Sequence, residues 1–248
     1  MKRKNKGLLF LLFIMLITSG LFILGCESDE GLDDAKNNVE EASKNSGEEY
    51  VSLSDIEELS EVDVSIQETI ENRRSIRSYQ DEKLDLEEIS YLMWAAQGIT
   101  DSDTGYRAAP SAGATFPMEV YVVVGDVEEL SPGIYRYLPE EHELQLVLEG
   151  DFRDDLMGAA LGQAPIGEAS INIVITSIYE RVMSTYGERG IRYAKIEAGH
   201  ISQNIFLLST ALELGTVSIG AFEDEDVADI LQLEEREEPL YIMPVGRR

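Results

Sequence analysis

Three arginines lie close together in a chain that is otherwise strongly acidic. Arg73, Arg74 and Arg77 fall within five residues, whereas the full sequence of 248 residues carries a formal net charge of −28. Ser75 places a hydroxyl group among them. Guanidinium groups bind phosphate and carboxylate oxygens in pairs. The cluster is therefore a candidate site for an anionic ligand, and the alternative is a solvated helix end that pairs with nearby glutamates.

A helix is predicted to hold this cluster. Residues 65–72 place the apolar Ile66 and Ile70 four positions apart, which puts them on one helix face. Arg73 and Arg74 then lie near the C-terminal end of the helix, where cations are favoured. The pattern that follows is extended, so the guanidiniums are expected to spread from the helix end into one pocket.

A second candidate stretch, residues 107–117, is built from small residues between Pro110 and Pro117. Small side chains let a flat ligand approach the backbone closely. A similar pair, Gly220 and Ala221, follows a predicted strand near the C-terminus. An ordinary turn is the alternative interpretation of both.

These motifs resemble those of the nitroreductase family and, more narrowly, its SagB/ThcOx branch. The resemblance rests on Arg-Arg-Ser-Ile-Arg-Ser-Tyr at residues 73–79 and on Pro-Ser-Ala-Gly-Ala-x-x-Pro at residues 110–117. Glu-Ala-Gly-His-x-x-Gln-Asn at residues 197–204 and a closing Pro-Val-Gly add to it. It spans residues 64–248, nearly the whole part of the chain that is expected to fold.

The resemblance implies a nitroreductase-like α+β fold, in which helices cover a mixed, mostly antiparallel sheet and a long buried helix lies at the core or dimer interface. It also implies a homodimer with flavin mononucleotide (FMN) at the subunit interface. The cofactor carries the hydride or electron chemistry and the protein anchors it. The FMN ligands implied by the family motifs are Arg73, Arg74, Ser75, Arg77, Pro110, Ser111, Ala112, Gly113, Gln163, Gly220, Ala221 and Arg247.

No residue is identified as catalytic, because the expected reaction is centred on the flavin. Tyr193, Lys195 and His200 are the candidates for proton donation. The alternative interpretation makes Tyr193 and Lys195 exposed first-turn residues and His200 a hydrogen-bonded residue in a packing seam. The only other histidine, His142, is predicted to be a solvated turn residue, and no metal-ligand spacing surrounds either one.

The predicted elements alternate between helices and strands, which indicates the α+β class from the pattern alone. Helices are predicted over residues 84–97, 152–161, 191–214 and 223–231. Strands are predicted over residues 118–124, 169–175, 216–219 and 239–246, with a hairpin formed by 133–137 and 143–148. Residues 162–167 are predicted to be a linker, and Gly199 to permit close packing of the longest helix.

The N-terminus resembles a secretory signal of the bacterial lipoprotein type. A basic start is followed by a run of about 18 uncharged residues, and the single cysteine, Cys26, falls at the lipobox position. The predicted organisation is a signal peptide over residues 1–25, an acidic flexible tether over 26–63 and an FMN-binding domain over 64–248. An uncleaved membrane anchor is the alternative. Both interpretations place the domain on the extracytoplasmic face of the cell membrane.

The expected activity is therefore that of a membrane-tethered FMN oxidoreductase. It would pass hydride or electrons from a reduced donor, for which NAD(P)H is one candidate, to a small organic acceptor. An azoline dehydrogenase acting on modified peptides is the alternative within the SagB/ThcOx branch. A non-catalytic lipoprotein that binds flavin or another ligand is the alternative outside it. The acidic composition argues against nucleic acid as a partner.

Overall fold

The computed structural model describes residues 49–54 and 64–248. The predicted signal peptide, Cys26 and most of the predicted tether lie outside these residues, as does a short helix expected after Ser54. Within the described ranges, no helix combines the length and the hydropathy needed to cross a membrane.

Nine strands are described, and seven of them form one antiparallel sheet. In chain order the strands are β1 (Tyr50–Ser52), β2 (Ile99–Asp101), β3 (Tyr106–Arg107), β4 (Met118–Val124), β5 (Gly133–Leu138), β6 (Glu143–Glu149), β7 (Ile171–Ile178), β8 (Leu214–Thr216) and β9 (Glu237–Arg247). The large sheet has the order β1-β6-β5-β4-β7-β9-β8, and every neighbouring pair in it is antiparallel. Strands β2 and β3 form a separate ribbon.

Helices lie on both faces of this sheet. They are α1 (Ile66–Asn72), α2 (Leu86–Gln97), α3 (Arg153–Ala159), α4 (Ala164–Glu168), α5 (Tyr179–Tyr186), α6 (Arg189–Ala211) and α7 (Asp224–Leu231). Ser65 and Asp85 start α1 and α2 with capping boxes, in which the cap side chain and the glutamate three residues later each accept a backbone hydrogen bond.

The central strands explain the two-sided core. Strands β4 and β7 are buried along their whole length, and successive side chains point to opposite faces of a sheet. Val120 and Val122 pack with the interior faces of α2 and α6. Tyr121 and Val123 pack with α3 and α7 on the other face. The run of consecutive apolar residues in β4 is therefore the pattern of a strand covered on both sides.

The α+β class and the mostly antiparallel sheet are confirmed, and several local predictions are wrong. Residues 162–167 are not a linker throughout, because Pro165 occupies the first turn of the short helix α4. Phe152 is the N-cap of α3, and Asp151 just before it pairs with the Arg153 guanidinium at 2.6 Å. Helix α5 was not predicted at all, since its polar sequence shows no long apolar stripe.

The boundary of the predicted tether also needs correction. Within the range 26–63, Tyr50 to Ser52 form strand β1, which pairs with β6. An edge strand can be recruited by backbone hydrogen bonds alone, so its sequence need not be strongly apolar. His142, expected in solvent, bridges Ser90 Oγ at 2.9 Å and the Tyr137 hydroxyl at 2.8 Å directly below this strand.

Candidate functional site

Helix α6 supports all the groups of predicted binding residues. Glu197, Ser202 and Phe206 are buried at successive positions along it, with exposed fractions of 2%, 5% and 8%. They face, in that order, the loop at Ser111, the turn at Ser218 and the guanidinium of Arg73. At about 1.5 Å per residue, Glu197 and Phe206 lie about 13 Å apart along the helix axis. The candidate site is therefore arranged along one rigid element.

The basic stretch, residues 73–80, is docked on the β8–β9 pair through two glycines. Gly215 and Gly246 are cross-strand partners. A Cβ on Gly215 would lie 2.6 Å from Ile76, and one on Gly246 would lie 2.9 Å from the Tyr79 ring. Both positions must therefore lack a side chain for the stretch to lie this close to the sheet.

Hydrogen bonds fix the same contact. The Ile76 N–H donates to Thr216 O at 2.9 Å, and the Gln80 N–H donates to Arg247 O at 3.0 Å. The Tyr79 hydroxyl donates to Pro244 O at 3.2 Å, and burial raises the pKa of this phenol. The structure thus brings the first sequence motif and the closing Pro-Val-Gly strand together.

The three arginines of the basic stretch have different roles. Arg73 caps the end of α1, and its guanidinium lies 5.0 Å from the centre of the Phe206 ring. Arg74 folds back and donates to Glu71 O and Arg73 O, each at 2.8 Å. Arg77 is exposed beside Ser75, which is also exposed. The expectation of three arginines in one pocket is therefore only partly met, because Arg74 serves its own helix end.

Six of the fourteen cations in the described residues form ion pairs. Ion pairs engage Lys83, Arg136, Arg153, Arg181, Arg236 and Arg247. Arg247, implied as a phosphate ligand, has its guanidinium on Glu88 of α2, so it would have to exchange partners to bind a ligand. Within residues 49–54 and 64–248, neither Arg73 nor Arg77 forms an ion pair. Arg73 and Arg77 are two of the eight cations in these residues that form no ion pair, and they lie on either side of Ser75, an arrangement that suits an external anion.

The turn at Gly220 and Ala221 is joined to Gln163. The Gln163 side-chain amide donates to Ala221 O at 2.8 Å and to Ala160 O at 2.9 Å. Gly220 and Ala221 are exposed, and the nearest atom to a Cβ on Gly220 would be 3.6 Å away, in Tyr241. The three predicted residues therefore share one open, small-residue surface, and Gln163 fixes it from behind.

The small-residue loop, residues 107–117, has an unusual backbone. Gly113, Ala114 and Phe116 have φ values of 61°, 50° and 41°, in the left-handed region. Such conformations in residues other than glycine are strained by about 1–3 kcal/mol each and need support from their surroundings. Support comes from Ser111 Oγ, which accepts from the Phe116 N–H at 3.0 Å, and from Arg181, which donates to Phe116 O at 2.9 Å.

Gly113 is required where the loop meets α5. A Cβ at this position would lie 2.7 Å from the Tyr186 hydroxyl. The Tyr186 ring in turn packs edge-on against Tyr193, with centroids 5.2 Å apart. Pro110 and Gly113 are exposed, and Ser111 and Ala112 are half-buried. The predicted binding residues of the loop therefore form an accessible edge on an aromatic support.

A buried carboxyl behind this loop was missed as a site residue. Glu197 faces the Ser111 hydroxyl, the Ala112 N–H, the Gln97 side chain and the charge of Arg107. Burial, opposed by these groups, raises the pKa of Glu197 to about 7. The sequence did indicate that Glu197 is buried, because Ile201 and Ile205 follow it at steps of four and so lie on the same apolar face of the helix.

The proton-donor candidates are placed less favourably. His200 and Lys195 are exposed on α6, and Tyr193 is half-buried against Tyr186. His200 is therefore not held in a packing seam, contrary to the expectation. Gly199 is also exposed, and a Cβ there would meet nothing within 4 Å, so the expected close packing at this glycine does not occur within the chain.

The residues present fit a flavin nucleotide. Arg73 and Arg77 offer unpaired cations for a phosphate group, and two surfaces of small residues offer room for a planar ring. This set combines an anion anchor with glycine and alanine at accessible turns, which is the combination that a nucleotide with a flat ring requires.

Comparison with known proteins gives consistent results. The model of the nitroreductase family matches residues 70–247. A protein of Methanocaldococcus jannaschii, provisionally named nitroreductase MJ1384, is 44% identical over 198 residues, which cover 80% of this chain and 96% of that protein. A crystal structure of a provisionally named nitroreductase from Anabaena variabilis has a TM-score of 0.69 at 30% identity, covering 81% of this chain and 42% of that one.

A more distant relative has a different named role. The microcin B17-processing protein McbC of Escherichia coli is 27% identical over 159 residues. The match covers 62% of this chain and 58% of that protein.

Proposed function

The chain belongs to the nitroreductase family of flavin-dependent oxidoreductases, and we propose that it binds FMN and transfers hydride or electrons between a reduced donor and a small organic acceptor. The observation that carries the proposal is the basic stretch. Its guanidiniums at Arg73 and Arg77 are unpaired, and two glycines hold it against the sheet beside the end of β9.

Each group of residues has a defined task in this proposal. Arg73 and Arg77 bind the phosphate and the polar edge of the cofactor, with Ser75 as a further donor. The exposed edge of the small-residue loop and the Gly220–Ala221 turn face the ring. Bound FMN supplies the hydride or electron chemistry. A guanidinium at the ring edge stabilises negative charge that develops there.

We propose further that the active form is a homodimer. Members of the family are generally dimeric. Apolar side chains are exposed on two neighbouring helices of this chain: Ile66 is 65% exposed, Ile70 58% and Ile196 48%. Ile66 and Ile70 are one turn apart on α1, whereas Ile196 lies in the N-terminal half of α6. Exposed aliphatic residues such as the α1 pair mark an interaction surface. A second copy would cover them and bring its own small-residue loop to the site. Sedimentation velocity of the purified chain tests this, and a monomer at micromolar concentration would contradict it.

The location is proposed from the sequence alone. The basic start, the apolar run and Cys26 support a lipid-anchored protein on the extracytoplasmic face of the membrane. Metabolic labelling with a fatty-acid analogue tests the assignment. Label should enter the wild-type chain and be lost in Cys26→Ala. Equal labelling of both would contradict lipidation at this cysteine.

The cofactor is tested by the absorbance spectrum of the purified full chain, with and without added FMN. Flavin bands that survive desalting and bleach with dithionite are expected. A chain that stays colourless after reconstitution would refute the oxidoreductase and favour the ligand-binding alternative. Nicotinamide donors are typical of the family, so NADH and NADPH are the first reductants to try with quinone and nitro acceptors.

A second candidate function is favoured by the relationship to McbC. In it, the same flavin site oxidises azoline rings in a modified peptide. The two candidates differ in the electron donor. In the second, the azoline ring itself gives up two electrons and reduces the flavin, and an external electron acceptor must then reoxidise the flavin. Consumption of an azoline peptide by the flavin-loaded chain, without turnover of quinones by NAD(P)H, would select the second candidate.

A further inference from the structure

The strongest unexplained feature lies beneath the small-residue loop. Both carboxyl oxygens of Glu197 and the side-chain nitrogen of Gln97 are buried without a hydrogen bond of good geometry. Glu197 is 2% exposed and Gln97 1%. Buried polar atoms are nearly always paired, so three unpaired ones in contact call for a functional explanation.

Two of the donors that face this carboxyl belong to the loop, and a third, the Gln97 side chain, belongs to α2. The Ser111 hydroxyl oxygen accepts from the Phe116 N–H, so its own proton is free to be donated to Glu197, which it faces. The Ala112 N–H faces the same carboxyl. An ionised carboxylate accepts from both more strongly than a neutral acid does. The charge state of Glu197 therefore changes how firmly the loop is held.

Because its backbone is strained, the loop depends on its contacts with Glu197. Ala114 and Phe116 carry positive φ values, and such conformations persist only when neighbouring contacts enforce them. The segment between them and Pro110 includes the predicted ring-facing residues. A change at Glu197 is thus transmitted to the surface where the flavin is expected.

We propose that Glu197 is a positioning residue. Its carboxylate binds Ser111 and Ala112 and so keeps the small-residue loop in the conformation that receives the flavin ring. Protonation of Glu197 releases the loop from this conformation. The inference rests on the proposed FMN function. It assigns to that site a dependence on pH within the neutral range, since burial raises the pKa of Glu197 to about 7.

One charge faces Glu197 from outside its own helix among the described residues. It is Arg107, on β3, which donates to the Gln97 side-chain oxygen at 3.2 Å and lies 4.5 Å from the Phe116 ring centre. Arg107 in turn experiences Glu119, Glu140 and Arg181. Of these, Glu119 is held by two ion pairs. Glu197 is therefore a titrating group in contact with the loop, and Arg107 is its neighbouring charge.

The first test needs no flavin. Hydrogen exchange of the full chain at pH 8 is compared between wild type and Glu197→Gln, with Glu213→Gln as the control, since Glu213 is exposed just after the same helix. Residues 107–117 are expected to exchange faster in Glu197→Gln only, and the difference is expected to vanish at pH 6. Equal exchange at pH 8 would overturn the proposal.

The second test measures FMN affinity by flavin fluorescence from pH 6 to pH 8. Loss of one charge-assisted hold is expected to weaken binding about fivefold. Wild type should therefore bind more tightly as pH rises through about 7, and Glu197→Gln should stay at the weaker value. Because a phosphate monoester itself titrates near pH 6, riboflavin serves as the phosphate-free probe.

The outcomes separate the two proposals. If FMN and riboflavin fail to bind, the proposed function fails, while hydrogen exchange still decides whether Glu197 holds the loop. If both ligands bind and the pH profiles of wild type and Glu197→Gln coincide, the positioning role fails and the flavoprotein stands. The wild-type profile alone remains decisive if Glu197→Gln does not fold, because a flat riboflavin profile would contradict the proposal.

Discussion

The basic stretch and the small-residue loop both rest on α6, but they are held in opposite ways. The basic stretch is held by backbone hydrogen bonds and by close approach to Gly215 and Gly246, which leaves Arg73 and Arg77 unpaired at the surface. The small-residue loop is strained, and a buried carboxyl lies behind it. In the basic stretch the guanidiniums of Arg73 and Arg77 are available to a ligand. In the small-residue loop the charged group, the Glu197 carboxyl, is buried and contacts the loop from inside.

This difference predicts where each kind of mutation acts. Changes at Arg77, which is exposed, and at Arg73, which is half-buried against Phe206, should alter ligand affinity more than they alter folding. Substitution of the buried carboxyl should lower ligand affinity and raise folding stability. An ionised group in the interior opposes folding, but it strengthens the local hydrogen bonds that hold the loop.

The largest expected effect is at Arg73 and Arg77. The double substitution Arg73→Ala with Arg77→Ala should weaken FMN binding by more than about 100-fold, since charge-assisted hydrogen bonds contribute about 1.5–3 kcal/mol each. Isothermal titration measures it. Arg74→Ala is the matched control, because Arg74 is engaged by its own helix end. An equally large loss in Arg74→Ala would show that the three arginines are not differentiated.

The next effect concerns the buried carboxyl and global stability. The folded pKa of Glu197, about 7, lies above its ordinary value of 4.5, so the folded chain binds this proton more tightly than the unfolded chain. The stabilisation that this proton provides to the folded chain is fully present below about pH 4.5 and is lost as pH rises towards 7. The free energy of unfolding falls by about 3 kcal/mol in total over this range and is then constant.

Urea denaturation between pH 5 and pH 8 measures this contribution as the difference between wild type and Glu197→Gln. The variant should gain stability relative to wild type as pH rises, although it binds FMN less well. Burial also raises the pKa values of Glu88 and Glu237, and the difference between the two proteins cancels their effect. A variant less stable than wild type at pH 8 would mean that Glu197 is a net structural contributor.

A smaller effect is expected at the glycine contact. Gly215→Ala places a methyl group 2.6 Å from Ile76, which should destabilise the chain by about 2 kcal/mol through overpacking. Gly158→Ala in α3 is the control, because a Cβ there meets nothing within 4 Å. Thermal unfolding compares them. Unchanged stability in Gly215→Ala would show that the basic stretch can lift from the sheet.

The smallest expected effect is on the outer face of α6. Gly199→Ala should stabilise the chain by about 1 kcal/mol, since alanine favours a helix and the position has open space. Denaturation at several protein concentrations is the measurement. A loss of stability relative to wild type that is present at high protein concentration and shrinks on dilution would instead place a second copy against Gly199.

The sequence predicted the fold where patterns were long. Strand β4 was predicted with the observed bounds, and α1 and α2 to within two residues at each end, because capping residues and apolar periodicity mark them clearly. Helix α4, helix α5 and strand β1 were not predicted, since they are short and depend on contacts with distant parts of the chain. Local pattern carries no information about such contacts.

The candidate site was predictable to the same limit. Arg73, Arg77 and the Gly220–Ala221 turn could be proposed from residue type and motif, and the structure joins Gln163 to that turn through one hydrogen bond. Glu197 could not be assigned its place, because its relation to Ser111 spans 86 residues of sequence. The pairing of Arg247 with Glu88 likewise depends on the register of β9.

Strand β1 has a mechanical consequence. If the chain is anchored at its N-terminus, any tension on the anchor reaches Tyr50 to Ser52 before the rest of the sheet. This three-residue strand is held by its ladder with β6, by the Leu53 N–H on His142 O at 3.1 Å and by the Leu146 N–H on Glu49 O at 2.8 Å. Under tension β1 would separate from the sheet first and leave β6 as the new edge strand. The proposed flavin-binding surfaces would then keep their structure while β1 detaches.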